Sequence, residues 1–593
     1  MRHVAIRASL FRLCDRDHGR GVQPHGACRG CAIVTARPPA PAITGKTHRA
    51  DAIVVGGGHN GLVAAFYLAR AGLRVEVLER RMEVGGPAAT VEFFPGYRGA
   101  MTNSPGSVEP RIVADMELER FGLTWLKPDP SVLQAFPGGR FFVGWRDQKR
   151  MHDHIARTFS RRDADAYPGI FEFFNDFARR IKVSLYEPPP SLAELAARLT
   201  TPEDEADFAT IFFGSIRDFV EQRLETDEVR AAVSLLAGSG AFAPSSPGSP
   251  AVLLLRPMSL YSSSVDAVHD PRTQPLRGST GLPVGGMGSI VAAMRRALEH
   301  LGVTIRTEAT VARIIAGADH TVRGVALDDG TEFLAPIVLS NLHPRTTLLD
   351  LVEADHLPAD IGRRLKALPS GGAVFKVVLG VDEPPFLAGA SPEDAVAYST
   401  CQFRIAPGMD YLERCHDDFH AKRLTDCPRL WGLMPSFASP EQAPPGRHLI
   451  SVNAWFFPYE LAPSQPSGGD WATAREVMGQ RIVSILTEYI PSLKRSIVAQ
   501  RFYSPVDIER DYGLVGGNFA QIDMTPDHMF ALRPIAGLAR YRTPIAGLYL
   551  GGAGTWPGGT VTGLPGYNSS HQILRDMAAG NGAGRRPAAA VGS

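Results

Sequence analysis

The stretch from Asp51 to Gly86 constrains the fold of this chain more than any other. It reads DAIVVGGGHNGLVAAFYLARAGLRVEVLERRMEVGG. A short apolar run with β-branched residues, 52–55, precedes Gly56, Gly58 and Gly61 in the G-x-G-x-x-G register. Residues 62–71 continue as helix formers, 74–78 form a second strand, and Glu79 closes it. Strand, glycine turn, helix, strand and terminal acid together specify a βαβ unit for a dinucleotide. The glycines have separate tasks: a tight turn, backbone approach to a pyrophosphate, and close packing of helix on strand. The helix start offers free N–H groups and a positive dipole end to phosphates. Glu79 stands where a ribose hydroxyl is met. His59, Asn60, Arg80, Gly85 and Gly86 complete the candidate nucleotide-binding set of this block.

At 593 residues the chain exceeds one ordinary core, so two or more lobes are expected. Hydrophobic content of 44% and charged content of 21% are those of a soluble globular protein. A formal net charge of +1 gives no nucleic-acid footprint. No apolar run approaches the ~20 residues that span a bilayer, so any membrane contact is expected to be peripheral. The six cysteines, Cys14, Cys28, Cys31, Cys401, Cys415 and Cys427, are sparse and irregular. That argues for a reducing compartment, hence a cytoplasmic location. Residues 1–49 carry Arg2, Arg7, Arg12, Arg16, Arg20, Arg29 and Arg37 against only Asp15 and Asp17. They read as a disordered or targeting extension. Were they a transit peptide, the mitochondrial matrix would replace the cytoplasm. Cys28 and Cys31 form a C-x-x-C with no second pair at zinc-finger spacing.

Further along, residues 94–130 look loop-rich and 150–235 helical, with amphipathic stretches at 167–180 and 191–199. Residues 238–286, rich in Gly, Ser and Pro, suit loops and a return crossing between lobes. A second glycine block, Gly285, Gly286 and Gly288, precedes a helix at 289–301. Strands are expected at 303–306, 310–315, 321–327, 332–334 and 335–340, the last leading to Asn341, with a hairpin turned at Asp328-Asp329-Gly330. Residues 345–535 show few local signatures beyond a strand at 449–457 and a helix at 471–489. A third glycine block, 547–563, runs from a strand through Gly551, Gly552, Gly554, Gly558 and Gly559 to a helix.

As a set, the three blocks resemble the FAD-binding frame of the flavin amine oxidase superfamily. Residues 160–167 (SRRDADAY), 516–518 (GGN), 527–534 (DHMFALRP) and 551–559 (GGAGTWPGG) narrow the resemblance to the phytoene desaturase and carotene ketolase group. They are equally similar to proteins called pyridine nucleotide-disulfide oxidoreductase domain-containing protein 2. The resemblance runs from about residue 50 to 577. It implies an α/β fold: a doubly wound, glutathione-reductase-like FAD domain with a β-meander, plus a mixed α+β substrate lobe. The FAD domain would comprise 50–130, 280–345 and 535–579, the substrate lobe 131–279 and 346–534, with a disordered tail at 580–593. Val311 would lie near the adenine edge. Asn341, Gly552, Gly554, Gly559, Thr560 and Val561 would join the first block around the cofactor. A helix start near Thr560–Thr562 would point at the flavin pyrimidine ring, where N–H donors favour the charge of the reduced ring. The chain departs from the family pattern at Pro87, His528, Trp556 and Tyr567.

A disulfide reductase needs a cysteine pair beside the flavin, and none lies between Cys31 and Cys401. A second nucleotide fingerprint for NAD(P)H is also missing, which leaves dioxygen or a quinone as electron acceptor. The expected activity is FAD-dependent desaturation or oxidation of a small hydrophobic, carotenoid- or isoprenoid-like substrate. Alternatives are a flavin amine oxidase, for which Trp556 and Tyr567 would begin an aromatic cage, and a non-catalytic prenyl-binding protein like the Rab escort type. Candidate catalytic residues are His528, Arg533 and Trp556. Within residues 415–420, the imidazoles of His416 and His420 stand at i and i+4, a metal-ligand spacing, but no third strong ligand group is evident, so no metal is expected. Oligomeric state is left open.

Overall fold

A four-residue run that is apolar at every position cannot keep one face in water, and Ala52–Val55 is buried along its whole length. In the computed structural model, which describes residues 47–103, 108–237, 242–262, 281–465 and 468–580, this strand is the centre of a five-stranded parallel sheet. The order is Thr304–Arg306, Val75–Leu78, Ala52–Val55, Ile337–Ser340 and Leu548–Leu550. Three distant parts of the chain thus supply neighbouring strands. The helix His59–Arg70 packs beside this sheet against both Met287–His300 and Leu564–Ala578. Val311–Ala316, Val322–Leu327 and Glu332–Leu334 form the expected antiparallel meander. It is a sheet of its own, extended by Thr47–Arg49 pairing parallel to Glu332–Leu334.

A seven-stranded mixed sheet builds the second lobe. Its order is Ile497–Tyr503, Val374–Val381, His448–Trp455, Arg429–Leu433, Gln402–Ile405, Val132–Phe136 and Arg140–Gly144. The 21-residue helix Arg161–Ile181 has Ser160 as N-cap, its hydroxyl accepting from the Asp163 N–H. Asp163 is fully buried and accepts from the N–H groups of Glu225 and Thr226 and from the Thr226 hydroxyl. The acidic motif at 160–167 therefore clamps the loop before the helix Asp227–Ala237. The fold is the α/β frame with meander and mixed lobe that the sequence implies.

Several local expectations need correction. Residues 47–49 form a strand instead of ending the leader; residues 1–46, with Cys28 and Cys31, and the tail from 581 lie outside the described residues. Residues 91–99 are a hairpin: Pro95 presets the turn, and Gly96 takes the positive φ of +79° that follows it. The apolar run within 249–262, read as loop, forms the 3₁₀ helix Ser249–Leu254 and the helix Leu255–Ser262. A short apolar run does not reveal its own periodicity, and here it becomes a buried wall.

Candidate active site

The first glycine turn is built against three partners. Gly56 leaves the central strand at φ +93°, and Asn341 supports it by donating from Nδ2 to the Gly56 carbonyl at 3.1 Å. A β-carbon on Gly61 would lie 2.3 Å from that same carbonyl, so the helix His59–Arg70 approaches its strand only because residue 61 is glycine. Glu79, at the end of the second strand, accepts from the N–H of Gly57 at 2.8 Å and of Arg81 at 2.9 Å. Its carboxylate is thereby fixed beside the turn with lone pairs to spare for a ribose hydroxyl. Gly85 bridges to Gly58, and its N–H donates to the Gly57 carbonyl at 2.8 Å. Ala309 and Glu308 donate to the carbonyls of Glu79 and Arg81, which brings the approach to Val311 alongside the ribose acid. Arg80 instead reaches the last turn of the helix Pro505–Tyr512, donating to the Arg510 carbonyl.

The late glycine turn meets the early one across Asn341. A β-carbon on Gly552 would lie 2.5 Å from the Asn341 carbonyl. Gly554 donates to Gln521 Oε1 at 2.7 Å, and the Gln521 carbonyl lies 2.9 Å from His343 Nε2. Burial holds the His343 ring neutral, pushing it down to about 3. Gly566 packs its Cα face onto the Asn60 carbonyl, leaving no room for a side chain. The helix there begins at Leu564 with Gly563 as its cap, so the expected helix start near 560–562 lies slightly later in the chain. Thr560 and Val561 are loop residues, and Thr560 holds a positive φ of +81°.

Early and late turns enclose one cavity of about 690 Å³, counted with its opening to solvent. His59, Pro87 and Ala88 line it from the first block; Ala553, Gly559, Thr560 and Val561 line it from the last. Val252, Leu255, Trp455, Phe519 and Met524 complete an apolar wall from the second lobe. Thr102 belongs to this cavity and to a neighbouring one that Asn103, Gly286, Met287 and Ser451 also line. Two buried polar atoms of the first turn, His59 Nε2 and Asn60 Oδ1, have no hydrogen-bond partner among the described residues. Orphaned polar atoms beside a side-chain-free turn fit a bound nucleotide group.

The three catalytic candidates are not brought to that cavity. Arg533 is fully buried, and its guanidinium donates to the carbonyls of Ala520, Ile522, Asp523, His528, Ala553 and Thr555 at 2.8–3.4 Å. It fastens the late turn to the 520–528 loop through backbone carbonyls alone. Trp556 is fully buried and stacks on Phe530 at 5.0 Å. His528 is held by Thr525 and Asp527. Tyr567 packs on Tyr67, Tyr186 and His571, so Trp556 and Tyr567 form no cage at the cavity. His416 and His420 do meet, 3.1 Å apart at Nε2. Among the described residues, no three His, Cys, Asp or Glu side chains group as a metal site. Cys401, Cys415 and Cys427 are buried free thiols, and burial raises all three, Cys401 to about 12, which keeps them from thiolate chemistry.

Sequence reasoning missed Lys376. It lies fully buried on Val374–Val381, where Nζ donates to Ser451 Oγ (2.7 Å), Asn453 Oδ1 (2.9 Å) and Asn103 Oδ1 (3.1 Å). Burial holds its amine far below the usual lysine range. Through Asn103 it anchors the segment that carries Thr102 between the two cavities. Trp455 and Phe519, edge to face at 6.2 Å, were missed as well. The alternation within 449–457 placed Trp455 on a strand but gave no signal of which face meets a ligand.

A parallel sheet with a glycine turn, a ribose acid at the next strand end and a late turn closing the same cavity defines a nucleotide-dependent oxidoreductase. The chain belongs to the flavin containing amine oxidoreductase family, whose model matches residues 61–564. It is 30% identical over 562 residues to pyridine nucleotide-disulfide oxidoreductase domain-containing protein 2 of Mus musculus, covering 89% of this chain and 94% of the relative. A limonene dehydrogenase polypeptide of Castellaniella defragrans is 25% identical over 560 residues, with 90% and 96% covered. Cyclohexylamine oxidase from Brevibacterium oxydans shares the fold, with a TM-score of 0.54 at 14% identity over 89% of this chain and 99% of that one. The protein is a flavin-dependent oxidoreductase, and its cofactor is FAD. When bound, that group accepts a hydride. The Gly56–Gly61 turn and helix start would hold its phosphates, Glu79 its ribose, and the His59 and Thr560 sides of the cavity its reactive end.

Proposed function

We propose that the chain oxidises or desaturates a hydrophobic, isoprenoid-like hydrocarbon. One observation carries this reading: the cavity wall beside the late turn is apolar, and among the described residues none that lines it is Asp or Glu. An ammonium entering it would lose its water without meeting a counter-charge, at a cost of several kcal/mol. A hydrocarbon gains from the same surface, by about 25 cal/mol per Å² buried. Removing hydride from carbon requires orientation and dryness more than a nucleophile, and the lining offers both. The similarity to the limonene dehydrogenase polypeptide, named for a terpene hydrocarbon, points the same way.

Amine oxidation is the second reading, favoured by the perpendicular Trp455–Phe519 pair at the cavity. Dioxygen or a quinone is the acceptor we propose. Among the described residues no helix is long and apolar enough to cross a membrane, and for delivery of such a substrate we propose peripheral contact with a lipid surface. The test is anaerobic bleaching of the purified yellow protein by phytoene and limonene against cyclohexylamine and benzylamine. Bleaching by a hydrocarbon alone is expected. Bleaching by amines alone would overturn the proposal.

A further inference from the structure

The second cavity, of about 480 Å³ counted with its opening to solvent, adjoins the first across Thr102, which lines both. Leu282, Pro283, Met287, Leu433, Met434 and Ala438 give it apolar walls, and among the described residues none that lines it is charged. Its polar side chains are mostly spent on the protein itself. Asn103 donates from Nδ2 to the carbonyls of Ser451 (2.7 Å) and Trp431 (3.3 Å), and its Oδ1 accepts from Lys376 and Ser451. The Thr400 hydroxyl donates to the Val396 carbonyl at 2.7 Å.

Gln442 is the exception. It ends the 3₁₀ helix Pro440–Gln442, lines the cavity and is only 3% exposed. Its Nε2 donates to the Gly285 carbonyl at 3.1 Å, which decides the two ends of the amide. Oε1 is then the buried atom without a partner among the described residues. The second glycine block is shaped to admit this side chain: a β-carbon on Gly286 would stand 1.8 Å from Nε2. Ser439, three residues earlier and on the same cavity, accepts at Oγ from the Gly285 N–H at 2.8 Å and keeps its own hydrogen to give. A buried acceptor with no donor is costly, and such exceptions mark the place of a ligand group.

We propose that the second cavity receives the far end of the substrate and that this end carries a hydroxyl. The hydroxyl donates to Gln442 Oε1 and accepts from Ser439. The proposal rests on the hydrocarbon reading above and adds one polar group to that frame: the substrate class is an isoprenoid alcohol whose hydroxyl lies remote from the carbon the flavin oxidises. Other polar ends fit worse. A carboxylate or phosphate would meet the lone pairs of Oε1 with no cation in the lining, and an ammonium would meet no counter-charge. A ketone or an ether has no hydrogen for Oε1. A site that pairs a hydroxyl in this way turns away the analogue lacking it, because the buried carbonyl would stay unpaired.

The test is equilibrium dialysis of the FAD-loaded full chain against radiolabelled farnesol and its deoxy analogue, identical except that hydrogen replaces the hydroxyl. The wild type is expected to bind farnesol at least ~10-fold more tightly, the range for one buried hydrogen bond. Gln442→Met, close in volume and without the amide, should erase that preference and keep the flavin spectrum. Ala438→Phe, which fills the cavity with Gln442 intact, should weaken farnesol binding by a similar ~10-fold. A preference for farnesol that survives in Gln442→Met overturns the proposal, as does unweakened farnesol binding by Ala438→Phe. If the wild type binds neither compound, the functional reading fails and the hydroxyl subsite falls with it. If it binds both equally, the functional reading stands and the hydroxyl subsite alone is refuted.

Discussion

Gly61→Ala tests the claim that nucleotide binding here depends on how closely one helix approaches one strand. Residue 61 lies in the first turn of His59–Arg70, where alanine should by propensity alone stabilise the helix by about 1 kcal/mol. The structure opposes that gain. The added methyl would stand 2.3 Å from the Gly56 carbonyl, roughly 1 Å inside ordinary contact, and 3.1 Å from Asn341 Nδ2. The obstructing atom is backbone in the turn itself, so either the helix moves off the sheet or the turn opens. Overpacking of this kind costs about 1–3 kcal/mol, giving a net loss of up to about 2 kcal/mol after the propensity gain. FAD affinity should suffer more, because displacing the turn misaligns the N–H groups that meet the pyrophosphate. Losing one charge-assisted hydrogen bond of about 1.5–3 kcal/mol raises Kd roughly 10- to 100-fold. Gly362→Ala is the control. That glycine lies inside the helix Ala359–Lys366 with nothing within 4 Å of an added β-carbon, so the variant should gain stability, by about 0.5–1 kcal/mol, with unchanged FAD affinity. Urea unfolding of the apoprotein and flavin fluorescence titration measure both quantities. A Gly61→Ala protein that unfolds and binds FAD as the wild type does would refute the close-approach argument.

Arg533→Lys should lower Tm and weaken FAD retention at least ~10-fold in dialysis, since an ammonium with three donors cannot serve six carbonyls. Lys376 gives a pH signature. Its amine is depressed in the folded state, so the unfolded chain binds the extra proton, and wild-type stability gains with rising pH up to the ordinary lysine range. Relative to Lys376→Met the gain should reach up to about 1.4 kcal/mol per pH unit between pH 7 and 9.5 in urea titrations. A flat difference between the two proteins would show that the amine is not held neutral. Asp163→Ala should cost about 2–4 kcal/mol by stranding the buried N–H groups of Glu225 and Thr226. It should leave the flavin spectrum and reduction rate unchanged, because the loop it clamps lies away from the cavity lining.

Much of the parallel sheet was legible because its rules are local. Gly56, Gly58, Gly61 and Glu79 sit in one stretch of chain: Gly56 turns at a positive φ, and a β-carbon on Gly58 or Gly61 would stand within 3 Å of Asn341 Nδ2 or the Gly56 carbonyl. The meander announced itself through alternation and Asp328-Asp329-Gly330. The large sheet did not. Val374–Val381 is apolar on both faces except for Lys376, so it shows no period of two, and the lysine itself argues against a core strand. Its partners Asn103, Ser451 and Asn453 come from segments hundreds of residues away or from the far side of a strand pair, and only the folded register joins them. Arg533 was visible as a residue but not as a fastener, since its ligands are backbone carbonyls, which every sequence supplies and none displays. The apolar cavity wall was invisible for a related reason: Val252, Leu255 and Phe519 would look the same in any core.

The position of Leu548–Leu550 in the sheet has a temporal consequence. This strand, paired to Ile337–Ser340, delivers the late turn almost five hundred residues after the strand Ala52–Val55 that launches the early one. The ribosome must therefore make everything between them before the receptacle for flavin is closed. A nascent chain halted ahead of residue 548 would carry an intact fingerprint with nothing to shut it.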